Sequence, residues 1–570
     1  MKLSVFSLSL VSALVAGSAV NSIAAEPTPP ALKKTAVTAH VRPSFLWENA
    51  TVYFLLTDRF NNANPANDLA YGRRADAAPL RGYFGGDLAG VTAKIKQGYF
   101  EDLGVDVIWI TPPVEQIHAG TDEGTGKSYA FHGYWARDFT RVDANLGSEA
   151  DMRALVDTAH AHGIRVLLDV VMNHMGPVTD IDPVWPASWV RTGPPCTYKD
   201  IASTVSCTLV KNLPDLRTES NENVALPPPL VEKWKREGRY EKEVKELDAF
   251  FKRTGWPRAP RYYLMKWHAD WVRKYGFDGF RADTVKHVEP GAWKELKQEA
   301  SAAYEDWKRL NPKKKLGDEK FFMTAEIYNY SIAQGLETRM DGGSRANFYD
   351  NGFDSLINFG FKSDANKGYE ELFSSYSDKL NGELKGYSVL NYIGSHDDDH
   401  PFDAKRTRPF EAGTKLLLSP GAAQIYYGDE TARELLVDGA KGDAALRSMM
   451  NWDDLIKNAG RAGYNIADVH QHWSKLGLFR RAHVAVGAGV HQKLSDQPYT
   501  FKRTCEKNGL SDKVVVALDL PTNQSISIEV QGVFADGLKL KDYYSGKYAI
   551  VTDGKVTFDS KNSILLIGKE

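Results

Sequence analysis

Between residues 51 and 428, short runs of β-branched and aromatic residues alternate with longer segments whose apolar positions recur at helical spacing. The runs are TVYFLLT (51–57), VDVIWIT (105–111), IRVLLDVV (164–171), FDGFRAD (277–283), FFMTAEI (321–327), SLINF (355–359), SVLNYIGS (388–395) and AQIYYG (423–428). Each reads as a strand. Between them, SEADMRALVDTAHAHG (148–163) predicts a helix with Ser148 as N-cap, Asp151 at N3 and Gly163 as its stop. RYYLMKWHADWVRKYG (261–276) predicts another. Eight strands alternating with helices point to an α/β fold, a (β/α)8 TIM barrel. An open doubly wound sheet is the alternative. Polar groups placed repeatedly at strand C-terminal ends favour the barrel.

Two stretches depart from the alternation. Residues 175–261 are long and irregular, hold two cysteines and a charged helical segment, and read as a small inserted domain after strand 3. Beyond HQHWSKLGLFRRAH the pattern turns all-strand (KVVVALDL, SISIEV, YAIVTD, KVTFDS, SILLIG). This predicts a C-terminal antiparallel β-sandwich domain over 485–570. The barrel is then expected from 51–174 and 262–484.

The N-terminus has the pattern of a secretory signal peptide over 1–25: Lys2, the apolar FSLSLVSALVAGSAV, and small residues before Glu26. A Pro-rich lead-in follows over 26–50. No later apolar run is long enough to span a bilayer. The expected location is the periplasm or the medium. Export makes a Cys196–Cys207 disulfide the favoured reading and leaves Cys505 as the odd thiol.

Composition refines this only slightly. The chain has 570 residues, 42% hydrophobic and 25% charged, which is ordinary globular usage. A formal net charge of −2 gives no support to a nucleic-acid partner. The 11% aromatic content suits sugar rings and a large core alike.

In a barrel, the strand C-terminal ends and the loops after them build the active site. Here those ends carry Asp169, Asn173 and His174; Arg281, Asp283, Lys286 and His287; Glu326; and His396 and Asp397. The loop after strand 2 adds His132, Tyr134 and Trp135. Arg281 and Asp283, two apart on a strand, share a face. Carboxylates crowded at one mouth repel one another and destabilise the fold unless they are used. Without a nucleophilic Ser or Cys, they point to a metal site or to glycoside hydrolysis. A retaining hydrolase needs one carboxylate as nucleophile and one carboxylic acid as proton donor. Asp283 beside Arg281 fits the first role and Glu326 the second.

DVVMNH (169–174), LPDL (213–216), GFRADTVKH (279–287), the AEI around Glu326 and SHD (395–397) resemble, in order, the signature regions of the α-amylase superfamily, glycoside hydrolase family 13. TDRFNN, YGRR, EQIH, DANLGSEAD and LPDLRTES look most like bacterial periplasmic or secreted α-amylases. The resemblance implies Asp283 as nucleophile, Glu326 as acid and base, and Asp397 as a transition-state stabiliser. It implies substrate contacts at His132, Tyr134, Trp135, His174, Arg281, Lys286, His287 and His396. It implies a calcium site at Asn173, Asp215 and the His287 carbonyl. A second calcium site, similar to one in cyclodextrin glucanotransferases, would use Asn62, Asn64, Asn67, Asp68, the Gly85 carbonyl and Asp87. Both sets are hard oxygen donors of the kind calcium takes. The chain departs from the family in AEIYNY around the acid and in SHD for the commoner NHD.

The implied activity is endo-hydrolysis of α-1,4-glucosidic bonds in starch, glycogen and maltooligosaccharides with retention of configuration. A 4-α-glucanotransferase or cyclodextrin-forming enzyme is the nearest alternative, and a non-catalytic glucan-binding protein a more distant one. The expected partner is an α-glucan, with no nucleic acid, no membrane once the signal is cleaved, and a monomeric state.

Overall fold

The computed structural model describes residues 45–122, 124–340, 342–398 and 400–570. The expected signal peptide and most of the lead-in lie outside these residues.

Eight parallel strands close into a barrel: β1 (Thr51–Leu55), β2 (Val107–Ile110), β3 (Arg165–Val170), β4 (Gly279–Ala282), β5 (Phe322–Ala325), β6 (Ser355–Asn358), β7 (Ser388–Tyr392) and β8 (Ala422–Tyr426). Neighbours follow chain order around the ring, and β8 closes on β1. Every barrel-strand residue is buried. That explains the near-continuous apolar runs, since each strand is covered by helices outside and by packed side chains inside. The expected runs extend past the observed strands by up to three residues, because residues such as Asp283 and Glu326 leave the ladder at the barrel mouth.

The helix Glu149–Ala161 begins at a capping box. The Ser148 amide donates to Asp151 Oδ2 at 2.8 Å, and the Asp151 amide donates to Ser148 Oγ at 3.3 Å. Gly163, at φ +74°, turns the chain into β3. The last residues of the expected loose lead-in are packed instead. Trp47 stacks on Phe322 at 3.9 Å between ring centroids and plugs the barrel bottom.

The segment after β3 carries helices Pro228–Arg236 and Tyr240–Thr254, split where Gly238 turns at φ +70°. Trp185, Trp189 and Trp234 gather around Trp267 of helix Pro260–Tyr275. Beside them the Lys233 ammonium is buried among Glu115 (2.8 Å), Asp138 (2.7 Å) and Glu237 (2.8 Å). Cutting one partner from a buried charge cluster strands the rest at a cost of about 3–5 kcal/mol. Lys233→Ala should therefore lower the melting temperature by several degrees, whereas exposed Lys242→Ala should leave it unchanged; calorimetry on both variants checks this.

The C-terminal strands are β9 (Val490–Asp496), β10 (Tyr499–Lys507), β11 (Leu510–Leu518), β12 (Gln524–Glu529), β13 (Lys539–Asp542), β14 (Tyr548–Ile550), β15 (Lys555–Ser560) and β16 (Ile564–Gly568). They form a six-stranded antiparallel sheet, in the order β9-β10-β11-β16-β13-β14, and a β12-β15 pair. Val514, Val516 and Leu518 belong to the core shared with the barrel, while Val515 and Ala517 pack with Ile528, Val556 and Phe558. Burial of both faces makes KVVVAL continuous rather than alternating. The Cys196–Cys207 disulfide is present, and Cys505 is a buried free thiol.

Candidate active site

Parallel register sets the floor of the barrel mouth. Arg281 on β4 lies level with Asp169 on β3 and Thr324 on β5. Its Nη1 donates to Asp283 Oδ1 at 2.7 Å and to both Asp169 oxygens at 3.0 and 3.1 Å. Its Nη2 stands 3.2 Å from Glu326 Oε2. One guanidinium thus organises three carboxylates. Asp169 also accepts from Tyr134 OH (2.8 Å) and Trp109 Nε1 (3.0 Å). Thr284, in the left-handed region at φ +44°, turns the chain so that its amide donates to Glu326 Oε2 at 2.8 Å and its hydroxyl to Asp283 Oδ2 at 3.1 Å.

The electrostatics separate the carboxyl groups. Burial raises the Glu326 pKa to about 8, with Arg281 opposing and Asp283 and Asp397 adding repulsion. Burial also raises Asp283, while Arg281 and a hydrogen bond with Glu326 pull it back. Asp169 is pushed by burial to about 6 against Arg281. Asp397 is raised by burial and lies 3.6 Å from His396 Nδ1. Glu326 therefore holds a proton at neutral pH, which is what a proton donor requires.

The histidines are neutral donors and acceptors. Burial lowers His174 and His287 to about 4 and takes His132 and His396 well below their ordinary value. His174 Nε2 bonds the Tyr134 carbonyl at 3.1 Å, and the Tyr134 ring stacks against His396 at 5.2 Å. His132 Nδ1 accepts the Tyr134 amide at 3.1 Å. Trp135 is placed differently: its ring packs with Ile117, Ala130 and Leu213 in a small apolar cluster. Lys286 and His287 line a cavity of about 900 Å³ that opens from Glu326, and Lys286 Nζ donates to the Tyr328 carbonyl at 2.7 Å.

Three residues without an assigned role shape the site. Asp169, expected at the mouth as a strand-end carboxylate, shares the arginine. Arg447 Nε donates to the His396 carbonyl at 2.8 Å and ties it to Asp443. Tyr328 exposes 64% of its surface on the cavity wall. Asp169 was readable as a strand-end carboxylate and Tyr328 as a large aromatic two residues after the acid, whereas Arg447 had no local signal.

The expected calcium donors can be tested by their unmet valences. Asn173 Oδ1 and Asp215 Oδ1 are buried and accept no hydrogen bond among the described residues. Burial lifts Asp215 to about 7. Two buried oxygens left over in this way fit a hard cation. The second set fits only in part. A Cβ at Gly85 (φ +90°) would lie 2.3 Å from Asn62 Nδ2 and 2.6 Å from Asp68 Oδ1, and Asn67 Oδ1 accepts no hydrogen bond among the described residues, so the loop is tight. Asn62 Nδ2 already donates to the Asp68 carboxylate at 2.9 and 3.1 Å. The Asp87 carboxylate, however, already accepts from the Ala63, Asn64 and Gly90 amides as a helix cap.

Comparison with known proteins matches residues 54–477 to the alpha-amylase catalytic domain. The chain is 37% identical over 541 residues to the periplasmic alpha-amylase of Escherichia coli K12, covering 83% of this chain and 72% of that one. The chain belongs to the α-amylase family. It is accordingly a glycoside hydrolase of that family. It is also 27% identical over 516 residues to a cyclomaltodextrin glucanotransferase of Thermoanaerobacterium thermosulfurigenes, spanning 85% of this chain but only 61% of that one. An Anoxybacillus alpha-amylase structure shares the fold at TM-score 0.60 and 22% identity, over 92% of this chain and 99% of that one.

Proposed function

We propose that this α-amylase cleaves internal α-1,4-glucosidic bonds of starch, glycogen and maltooligosaccharides by double displacement with retention. The reading rests chiefly on one observation, the Arg281 guanidinium touching both Asp283 and Glu326. One arginine bonded to both carboxyl groups suits the ~5–5.5 Å separation of retaining hydrolases, not the ~6.5–9.5 Å of inverting ones.

In this reading Asp283 attacks the anomeric carbon while protonated Glu326 gives its proton to the glycosidic oxygen, and the reducing-end fragment leaves. Glu326, now a carboxylate, takes a proton from water, and the water oxygen displaces Asp283 to restore the α configuration. Asp397 binds ring hydroxyls of the distorted sugar. His174, His396 and His132 supply neutral hydrogen bonds, and Tyr134 lies beneath the ring. Lys286 and His287 meet the leaving fragment, and Trp135 supports the His132 ring, which it meets edge-on at 4.7 Å.

Calcium held by Asn173, Asp215 and the His287 carbonyl would tie the segment after β3 to the catalytic strand ends. Without a cation, the raised Asp215 contributes stability that fades as pH rises towards 7. Calcium at 100 times its dissociation constant should add about 2.7 kcal/mol. The gain in melting temperature should be larger at pH 8 than at pH 5, where the cation must displace a proton. Identical melting with calcium and with chelator at both pH values would contradict the site. The N-terminal loop is a second, weaker calcium candidate. The location proposed is the periplasm or the medium, with the protein monomeric, and an α-glucan is the partner.

Glucanotransferase relatives keep transfer to a sugar acceptor as the second reading. A time course on pure maltoheptaose separates the two. Hydrolysis predicts shorter oligosaccharides that appear first as α anomers by proton NMR. Early larger products or rings would favour transfer.

A further inference from the structure

We infer that Asp398, Lys362 and Tyr392 form a brace that positions the Asp397 carboxylate in the cleft. The inference rests on the transition-state role proposed above for Asp397 and deepens it.

The sequence SHDDD places a second aspartate directly after the stabiliser. The two neighbours sit differently. Asp398 is buried, whereas 38% of the Asp397 side chain is exposed at the mouth. The Asp397 carboxylate stands 3.6 Å from His396 Nδ1, too far for a hydrogen bond. Its aim is therefore set by the backbone on either side, and both sides are anchored. On one side, Arg447 Nε donates to the His396 carbonyl at 2.8 Å. On the other, both carboxylate oxygens of Asp398 are taken. Tyr392 OH donates to Oδ2 at 2.5 Å, and the Lys362 ammonium pairs with Oδ1. With both oxygens held, Asp398 is a positioning residue and not a sugar ligand.

The anchors come from separate elements. Tyr392 ends β7, and Lys362 lies on the short helix Phe361–Asp364 just after β6. The Asp398 carboxylate thus ties the loop after β7 to two parts of the barrel wall. Its pair with Lys362 is mostly out of water, so salt screens it less than a surface pair. Burial, with the charges of Asp398, Asp397 and Glu326, pushes the Tyr392 phenol well above its ordinary value, so it stays a donor. The Tyr392 ring packs edge-on against Phe359 at 5.7 Å, which limits its swing.

The test compares, by titration calorimetry, the binding of acarbose, whose flattened ring mimics the distorted sugar, with that of undistorted maltotriose. Wild-type protein should bind acarbose far more tightly. Lys362→Met and Asp398→Asn should each weaken acarbose binding by about 10- to 100-fold, the scale of a group misplaced by about 1 Å. The kcat on maltoheptaose should fall by a similar factor, with KM and maltotriose binding unchanged. Lys362→Arg, which keeps the pair, should keep the wild-type values. One variant removes a positive charge and the other a negative one, so a loss from both reports position and not field. In Asp397→Asn protein neither substitution should weaken acarbose binding further, because coupled residues are not additive. Thermal melting reports folding, and Tyr392→Phe breaks the same brace more gently should a charge variant fail to fold. Wild-type acarbose affinity in the folded brace variants, opposite effects of the two charge variants, or the full loss recurring in Asp397→Asn protein would each overturn the brace. Acarbose affinity unaffected by Asp397→Asn alone would instead overturn the role proposed for Asp397.

Discussion

Asp283→Asn is expected to lower kcat on soluble starch by about 10⁴-fold or more. An amide cannot form the glycosyl ester, and no other carboxylate occupies its place: Asp169 lies beneath Arg281 with its oxygens held by Trp109, Tyr134 and Arg281. The protein should stay folded. Asp283 has a raised pKa in the folded state, so the stability it contributes is present at low pH and lost as pH rises through that value. At pH 7 a neutral side chain removes repulsion with Asp169, and the melting temperature should hold or rise. Starch cleavage at the wild-type rate by this variant would remove Asp283 from the mechanism.

Glu326→Gln is expected to lower kcat by about 10²–10⁴-fold on substrates with poor leaving groups. A sugar hydroxyl needs the proton that Glu326 carries; fluoride or an activated phenol needs less help, so such substrates should form the glycosyl ester faster than starch does. The pH profile carries a further signature. With Glu326 at about 8, wild-type kcat/KM should fall as pH rises through that region, because the acid form is lost. Glutamine cannot titrate, so the variant's residual activity should lack this basic limb. A basic limb unchanged in the variant would assign it to another group.

The barrel was legible because its strands are buried on both faces and read as compact apolar runs between amphipathic helices. The C-terminal sheet was half legible. KVVVAL and SILLIG announce buried strands, but Val490–Asp496 is largely exposed and mixed in polarity, and Lys539–Asp542 is short and charged, so neither stands out. At the site, the roles proposed for Asp283 and Glu326 follow from strand-end position and local neighbours. The sharing of Arg281 with Asp169 does not, since it depends on the register between β3 and β4. Arg447 beneath His396 joins residues 51 positions apart, and nothing local in the chain marks the pairing.

The most direct measurement is mass spectrometry of Glu326→Gln protein incubated with α-maltotriosyl fluoride. Fluoride leaves without an acid, while release of the sugar waits for the missing base, so a covalent glycosyl-enzyme should accumulate. The account predicts one maltotriosyl unit per chain, on the peptide that contains Asp283. A sugar attached to any other residue, or turnover to the β anomer with no adduct, would contradict it.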